Sequence, residues 1–449
     1  MPLVQTPAVA ALLSRYLMTQ FSALSYLEPE QLQRLLVVLN QVPDIQLKNA
    51  TQLATVAYQQ GQFDLVKQLL PHLDQSPQAW WLQAKMALKA GDTAKAAEFY
   101  AKASKAFAPE SLQAGTLPAQ QDPYAKPSVQ ELQEQNYCRV QAEYGILELS
   151  RGDYLQAISL LTAAGSEYWQ DAAYIAERVL TLDELVNFTA LHPVTEVPEK
   201  SQWHYFGDTP VDVLLHHLTA RRLMRAGDYQ QAQAYFIDPE LKQLAKQYQQ
   251  HAEKAASSWT DHAKAQALFE QAKLARAHGL ELLGFELAPD YQVFYGQFEP
   301  YEEENQKTVL PAAELLRLSS SASIYNNRFH YRQLAAELSA EAATLVPHNS
   351  QAFAATLCHS TKWLLIRQPE LAQGYYQQYL QQGPYVSWGA EFGQTCPEPD
   401  FVAAKQRHYH NLELQLRKML RPFKWLLLTL LLAGVGVMGW FGIKRLKRA

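Results

Sequence analysis

The strongest constraint on the fold is a short pattern that recurs along the chain. The stretches "SRGDYLQAISLL" (150–161) and "RAGDYQQAQAYF" (225–236) both read as a helix end, a Gly-Asp turn and a new helix. The stretch "KAGDTAKAAEFY" (89–100) repeats the pattern, and "QQGQFDLVKQLL" (59–70) is a degenerate copy. Because long alternating strand patterns are missing while helical spacing recurs, the sequence predicts an all-α fold.

Each position around the turn has a chemical role. Glycine can adopt the left-handed conformation that ends a helix, and the Asp after it can cap the next helix. An aromatic, a small and a bulky residue then follow at helical spacing: Tyr154, Ala157 and Leu161 in one copy, Tyr229, Ala232 and Phe236 in another. Small and large residues at fixed offsets allow two antiparallel helices to interlock.

This pattern resembles the tetratricopeptide repeat, a helix-turn-helix unit of about 34 residues. The matching residues, copy by copy, are Trp80, Gly91, Asp92, Ala96, Tyr100 and Ala103; Gly145, Gly152, Asp153, Tyr154, Ala157 and Ala164; Gly227, Asp228, Tyr229 and Ala232; and Gly61, Phe63 and Val66. Thr93 departs from the turn aromatic, and the irregular spacing indicates insertions between copies. The resemblance implies a solenoid of helical hairpins that binds protein partners and uses no cofactor.

Composition shifts divide the chain into segments. The predicted order is 1–107, N-terminal helices and first repeats; 108–128, a proline-rich connector; 129–286, middle repeats; 287–327, an irregular connector rich in aromatic and acidic residues; 328–410, C-terminal repeats; 411–424, a basic juxtamembrane segment; 425–443, a transmembrane helix; and 444–449, a basic tail. Prolines and glycines halt helices, which is why the connectors are placed where these residues concentrate.

The stretch "WLLLTLLLAGVGVMGWFGI" (425–443) carries no charge and is flanked by basic residues on both sides. Its helical length of about 28 Å matches the hydrocarbon thickness of a bilayer. Gly434, Gly436 and Gly439 spell GxGxxG, but a dinucleotide site needs a preceding strand, which an apolar helix does not supply. The sequence therefore predicts a single-pass C-terminal anchor.

Two signals disagree about the side of the membrane on which the bulk of the chain lies. No basic residue precedes Arg15, which interrupts the first apolar stretch, so no secretory signal is recognised and the cytoplasmic side is preferred. The basic residues in 444–449 favour a cytoplasmic tail, which would put the bulk on the periplasmic or extracytoplasmic side. Both alternatives stay open.

Charge and cysteine content argue against several classes of function. The net charge is -5 and basic runs are confined to the C-terminus, which argues against nucleic acid as a partner. The three cysteines, Cys138, Cys358 and Cys396, are far apart and form no CxxC pair, so we expect thiols rather than a disulfide framework or a zinc site. HExxH, GxSxG and GxxxxGK are missing, and we predict no metal site and no catalytic residue.

The register of the resemblance gives a candidate groove. It predicts that two basic lines on first helices of the repeats contact a partner: Trp81, Lys85 and Lys89, and His217, Arg221 and Arg225. Each line follows helical i, i+4, i+8 spacing, so its members stack on one face. Such a face favours an acidic peptide; an ordinary solvated helix face is the alternative.

The string "NRFHYR" (327–332) is a second candidate site. If it is helical, Arg328 and Arg332 stand four positions apart and could hold a carboxylate or phosphate, with His330 beside them. The alternative is that His330 seats the helix while both arginines are solvated.

The sequence thus predicts a membrane-anchored scaffold or adaptor that recruits a protein partner and has no catalysis of its own. The alternative is an enzyme, or a glycan- or lipid-binding envelope protein, with a pocket near the irregular region 287–332.

Overall fold

The computed structural model describes residues 50–107, 129–194, 209–298, 310–325 and 327–421, with a few single positions before residue 50. All regular elements in these ranges are helices, which confirms the predicted all-α class. The chain divides into two compact units. Unit 1 comprises Met1–Leu215 and Tyr301–Ala322, and unit 2 comprises His216–Pro300 and Ser323–Ala449.

Unit 1 is built from helices that pack mainly on their neighbours in sequence. Its described α-helices in the first segment are α1 (Ala50–Gln59), α2 (Phe63–Leu69), α3 (Pro77–Lys89), α4 (Thr93–Phe107), α5 (Val129–Arg151), α6 (Tyr154–Ala163), α7 (Trp169–Tyr174) and α8 (Leu182–Ala190). The second segment of the unit contributes α13 (Ala312–Ser320). A π-helical turn, Ile175–Val179, joins α7 to the segment before α8.

Unit 2 contains most of the longer helices. The boundary between the units falls within α9 (Val211–Ala226), and the helices of unit 2 that follow are α10 (Tyr229–Tyr235), α11 (Pro239–Ser257), α12 (Asp261–Leu283), α14 (His330–Thr344), α15 (Gln351–Leu364), α16 (Pro369–Gln382) and α17 (Phe401–Leu420). Helix α12 packs against α11, α14 and α17, and therefore forms the centre of this unit.

Four helical hairpins of the described ranges, α1–α2, α3–α4, α5–α6 and α9–α10, share the predicted turn. The glycine has a left-handed φ of 72° to 84° at Gly61, Gly91, Gly152 and Gly227. The residue after it donates its N–H to the carbonyl five positions earlier, as Asp153 does to Glu148 at 3.0 Å, which satisfies a carbonyl that the helix end leaves open. The Asp153 side chain in turn accepts the N–H of Gln156 and caps the next helix.

The positions after the turns interlock as predicted. Ala157 and Leu161 are fully buried on α6, and Ala232 is fully buried on α10. Gly145 on α5 faces α6 so closely that an added Cβ would lie 2.8 Å from Leu161 Cγ. A helical hairpin of this kind needs a small residue wherever the partner helix places a large one.

The segment 287–327, which was expected to be irregular, contains helix α13, and this part of the prediction is corrected. The helix belongs to unit 1, where Glu314 accepts a hydrogen bond from the Tyr174 hydroxyl and Arg317 pairs with both oxygens of Glu184. Arg178 Nη2 also donates to the Leu318 carbonyl at 3.1 Å. These partners lie 133 to 140 positions away in sequence, so local periodicity could not reveal the contacts that hold the helix.

The cysteine prediction is wrong for two of the three residues. Cys358 on α15 and Cys396 form a disulfide bond, of which Cys138 is not a part. The bond attaches the segment 383–400 to α15, and Phe392 of that segment stacks on Tyr379 at a centroid distance of 4.3 Å. The pairing depends on how this segment folds back, which the spacing of cysteines does not encode.

The predicted transmembrane helix 425–443 and basic tail 444–449 lie outside the described residues, as does the connector 108–128. Among the helices described, none is both long enough and apolar enough to cross a membrane.

The turn glycines give a direct test of the hairpins. Gly152→Ala and Gly227→Ala should each lower the free energy of unfolding by about 1–2 kcal/mol, because an alanine resists the left-handed conformation. The matched control is Gly374→Ala within α16, where an added Cβ meets nothing within 4 Å. It should be neutral or stabilising by up to about 1 kcal/mol. Thermal unfolding followed by circular dichroism compares the three, and equal melting temperatures would contradict the turn assignment.

Candidate functional site

Glu143 of α5 lies at the centre of the predicted α3 face. Its Oε2 accepts hydrogen bonds from Trp81 Nε1 at 2.7 Å and from the Tyr100 hydroxyl at 3.0 Å. Its Oε1 pairs with Lys85 Nζ at 3.0 Å and with Arg139 Nε at 3.2 Å. Trp81 and Lys85 therefore bind an internal carboxylate of unit 1.

The pKa of Glu143 reflects this network. Burial alone raises it, but the hydrogen bonds from Lys85 and Trp81 outweigh burial and lower the pKa below its usual value. The Tyr100 hydroxyl has a raised pKa, first because it is buried and then because the Glu143 charge lies beside it. The carboxylate is therefore ionised at neutral pH and compensates the positive charge of Lys85.

Lys89 occupies the exposed end of the same face. Its Nζ lies 3.7 Å from the centroid of the Phe63 ring. Tyr58 packs edge-on against Phe63 and against Trp81, at centroid distances of 5.7 Å and 6.0 Å. Among the three residues predicted here, Lys89 is the one that presents its charge to solvent.

The second predicted line begins with His217 on α9, which is buried. Its Nε2 accepts the backbone N–H groups of Ile237 and Asp238 at 3.2 Å and 3.4 Å. Burial, followed by the positive charge of Arg221, lowers the pKa of His217 to about 3. A neutral ring is what these two donors require, so His217 has an internal structural role.

Arg221 and Arg225 bind the end of α12. Arg221 is 2% exposed and donates from Nε to the Gly284 carbonyl at 3.1 Å, while its Nη2 pairs with the buried Glu286. Arg225 Nη1 donates to the carbonyls of Leu283 and Gly284 at 3.1 Å and 2.9 Å. Positive charge at a helix C-terminus is favourable, so these arginines stabilise unit 2.

These placements correct the groove prediction for three residues, because Trp81, His217 and Arg221 are buried and bind the chain itself. The two basic lines also fall in different units. That the remaining side chains share one ligand stays a prediction.

His330 is turned into unit 2, which corrects its assignment as an anion contact. Its Nδ1 lies 2.8 Å from Asp290 Oδ2, and both residues are buried. Asp290 also accepts the backbone N–H groups of Phe285 at 2.9 Å and Phe329 at 2.6 Å. One carboxylate thus holds the turn after α12 and the start of α14 together.

Arg328 and Arg332 both contact the ring of Phe329. They do not share a helix face, because α14 begins only after Arg328. Their guanidinium carbons lie 4.9 Å and 4.4 Å from the centroid of the Phe329 ring, and that of Arg367 lies 4.6 Å from it. Arg276 on α12 lies close enough that the Arg332 charge adds to burial in lowering its pKa. Arg276, Arg328, Arg332 and Arg367 are called the arginine cluster below.

Sequence reasoning missed the partners that decide these roles. Glu143, Glu286 and Asp290 stand in unremarkable sequence contexts, and only the packing of distant helices brings them to the cations. Arg276 lies in α12 and Arg367 lies in the turn between α15 and α16, and neither is part of a motif. The sequence did contain one indication of concentrated positive charge, which is the lack of acidic residues in "NRFHYR" and in the first turn of α14.

Within the described ranges, no group of three or more His, Cys, Asp or Glu side chains could hold a metal ion.

Comparison with known proteins adds little. No family model and no curated protein matches the chain. Among solved structures, the chain is similar to one described as "Circular tandem repeat protein with novel repeat topology and enhanced subunit contact surfaces", with 12% identity and a TM-score of 0.16. The match covers 82% of this chain and 62% of that one, less than two thirds of its length. A TM-score this low carries no argument, so the repeated helical hairpins rest on the turns and packing described above.

The Glu143 network predicts a pH-dependent stability. Since the folded-state pKa of Glu143 lies below the value of about 4.3 in an unfolded chain, its charge stabilises the fold above that pH. This contribution is lost as the pH falls through the folded-state pKa. Glu143→Gln should therefore cost about 1–3 kcal/mol at pH 7, and the difference from the unsubstituted chain should shrink in acid.

Denaturant unfolding at several pH values measures this difference. The control is Glu98→Gln, which removes an exposed pair with Lys102 and should have little effect. A Glu143→Gln penalty that is equally large below pH 4 and at pH 7 would contradict the network.

Proposed function

We propose that the chain is a tetratricopeptide-like scaffold that is anchored in a membrane by residues 425–443 and recruits a protein partner there. The observation that carries the scaffold role is the recurrence of one helical hairpin with one left-handed glycine turn. Helical hairpins that pack on their neighbours expose extended surfaces, which are suited to protein partners. The anchor rests on the uncharged stretch between basic flanks in the sequence.

We also propose that unit 2 faces an oxidising compartment. The disulfide between Cys358 and Cys396 supports this placement, because such bonds persist outside the reducing cytosol. A cytoplasmic location for the basic residues of 444–449 agrees with it. This placement corresponds to the extracytoplasmic alternative of the sequence analysis and not to its preferred side.

The scaffold, in this proposal, has no catalysis of its own. The alternative function is that of an enzyme, or of a glycan- or lipid-binding envelope protein, with a pocket near 287–332. Asp290 and His330, the acid-base pair of that region, are both buried, and Asp290 is bound to two backbone N–H groups. An Asp-His pair committed in this way is suited to holding two segments together and not to exchanging protons with a substrate.

A cross-linking experiment on the full-length chain in its own cells tests these proposals together. A membrane-impermeant amine-reactive reagent, added from the oxidising side, should join the chain to a discrete protein partner in the membrane fraction. A membrane-permeant reagent of the same length is the second arm. An adduct formed only with the permeant reagent would contradict the proposed side of the membrane. A chain that yields no discrete adduct with either reagent would contradict the scaffold role.

A further inference from the structure

The charges of the arginine cluster repel one another. The guanidinium carbons of Arg328, Arg332 and Arg367 each lie within 5 Å of one ring centroid, at 4.9 Å, 4.4 Å and 4.6 Å. Every pair of them is therefore closer than the screening length of about 10 Å at 0.1 M salt. The Phe329 ring attracts each cation through its π face but neutralises none of them.

Packing of α12 against α14 brings the fourth arginine to the same place. The two helices approach so closely at Gly279 that an added Cβ would lie 2.3 Å from the Tyr331 ring. Arg276 precedes Gly279 by one helical turn, and Arg332 follows Tyr331. The Nε atoms of Arg276 and Arg332 are buried without a hydrogen-bond partner. Leaving a buried charged donor unsatisfied is costly, so these atoms indicate a missing acceptor.

The carboxylates on adjoining segments do not supply that acceptor. Asp290 binds His330 and two backbone N–H groups. Glu337 binds the Tyr325 hydroxyl and Gln333 Nε2. In the part of the chain that the structure describes, no ion pair joins Arg276, Arg332 or Arg367 to a carboxylate.

The start of α14 adds to the positive potential. A helix N-terminus carries a partial positive charge and normally has acidic residues near it. The first turn of α14 has no acidic residue and contains Arg332 instead. The positive charge of Arg332 is repelled by the positive end of the helix dipole. A bound anion would be attracted by both.

The surface beside the cluster is apolar. Arg367 follows Leu365 and Ile366, which are 44% and 92% exposed at the end of α15. A small inorganic anion would leave these side chains in water, whereas a peptide with an apolar residue next to an acidic one would cover them. The neighbourhood therefore favours a peptide over a free phosphate.

We propose that the arginine cluster binds an acidic segment of a protein partner, with glutamate or aspartate carboxylates on Arg276, Arg332 and Arg367 and an apolar side chain on Leu365 and Ile366. This inference rests on the proposed scaffold function and names the chemistry of the partner. The carboxylates fill the acceptor positions that the arginines leave open, and bidentate arginine–carboxylate pairs fix the orientation of the segment.

A defined probe tests this site without the natural partner. The full-length chain, purified in detergent, is titrated with a labelled peptide of alternating glutamate and leucine in fluorescence anisotropy. A peptide with glutamine in place of glutamate and inorganic phosphate are the comparison ligands. The glutamate peptide should bind, added salt should weaken the binding, and the glutamine peptide should bind at least about tenfold more weakly.

The variant Arg332→Gln/Arg367→Gln should lose about tenfold or more in affinity for the glutamate peptide and should melt no lower than the unsubstituted chain. The matched control, Lys405→Gln/Arg407→Gln, removes two exposed charges of α17 and should bind normally. Equal binding by both variants would overturn the proposal, as would phosphate binding as tightly as the peptide. These outcomes do not depend on the cross-linking experiment, which tests the scaffold role by itself.

Discussion

The open backbone groups at helix ends are the constraint on which the rest of this structure depends. A fold of many helices has many such ends, and each leaves carbonyls or N–H groups without helical partners. At the turns of Gly91, Gly152 and Gly227, a left-handed glycine and an aspartate cap satisfy both sides within a few residues. At the end of α12 no such turn exists, and the carbonyls of Leu283 and Gly284 are bound by Arg221 and Arg225.

This distinction explains what the sequence revealed. The glycine turns could be predicted because all their partners lie within six residues, and the interlocking positions Ala157 and Leu161 followed from the same local spacing. The roles of Arg221 and His330 could not, since their partners Glu286 and Asp290 are 65 and 40 positions away. Helical spacing showed that cations share a face, but only tertiary packing shows whether that face is buried.

The cations of the described residues fall into two groups. Lys85, Arg221 and Arg317 each pair with a glutamate of the chain, so their charges are largely used in folding. The arginine cluster differs because the chain brings Arg328, Arg332 and Arg367 together around Phe329, with Arg276 near Arg332. In the described residues it supplies no carboxylate to Arg276, Arg332 or Arg367. Packing brings these positive charges together but does not place a negative charge beside them. They are therefore available to bind a ligand. The proposed binding site therefore follows from the cations that the fold leaves uncompensated and not from the basic lines in the sequence.

The most direct test of this division is arginine-selective modification of the folded full-length chain with phenylglyoxal, read out by mass spectrometry. Arg221, which is 2% exposed, should resist modification, while Arg367 should react about as fast as the exposed Arg407 of α17. All three should react alike once urea unfolds the chain. Modification of Arg221 at the rate of Arg367 in the folded protein would contradict the account.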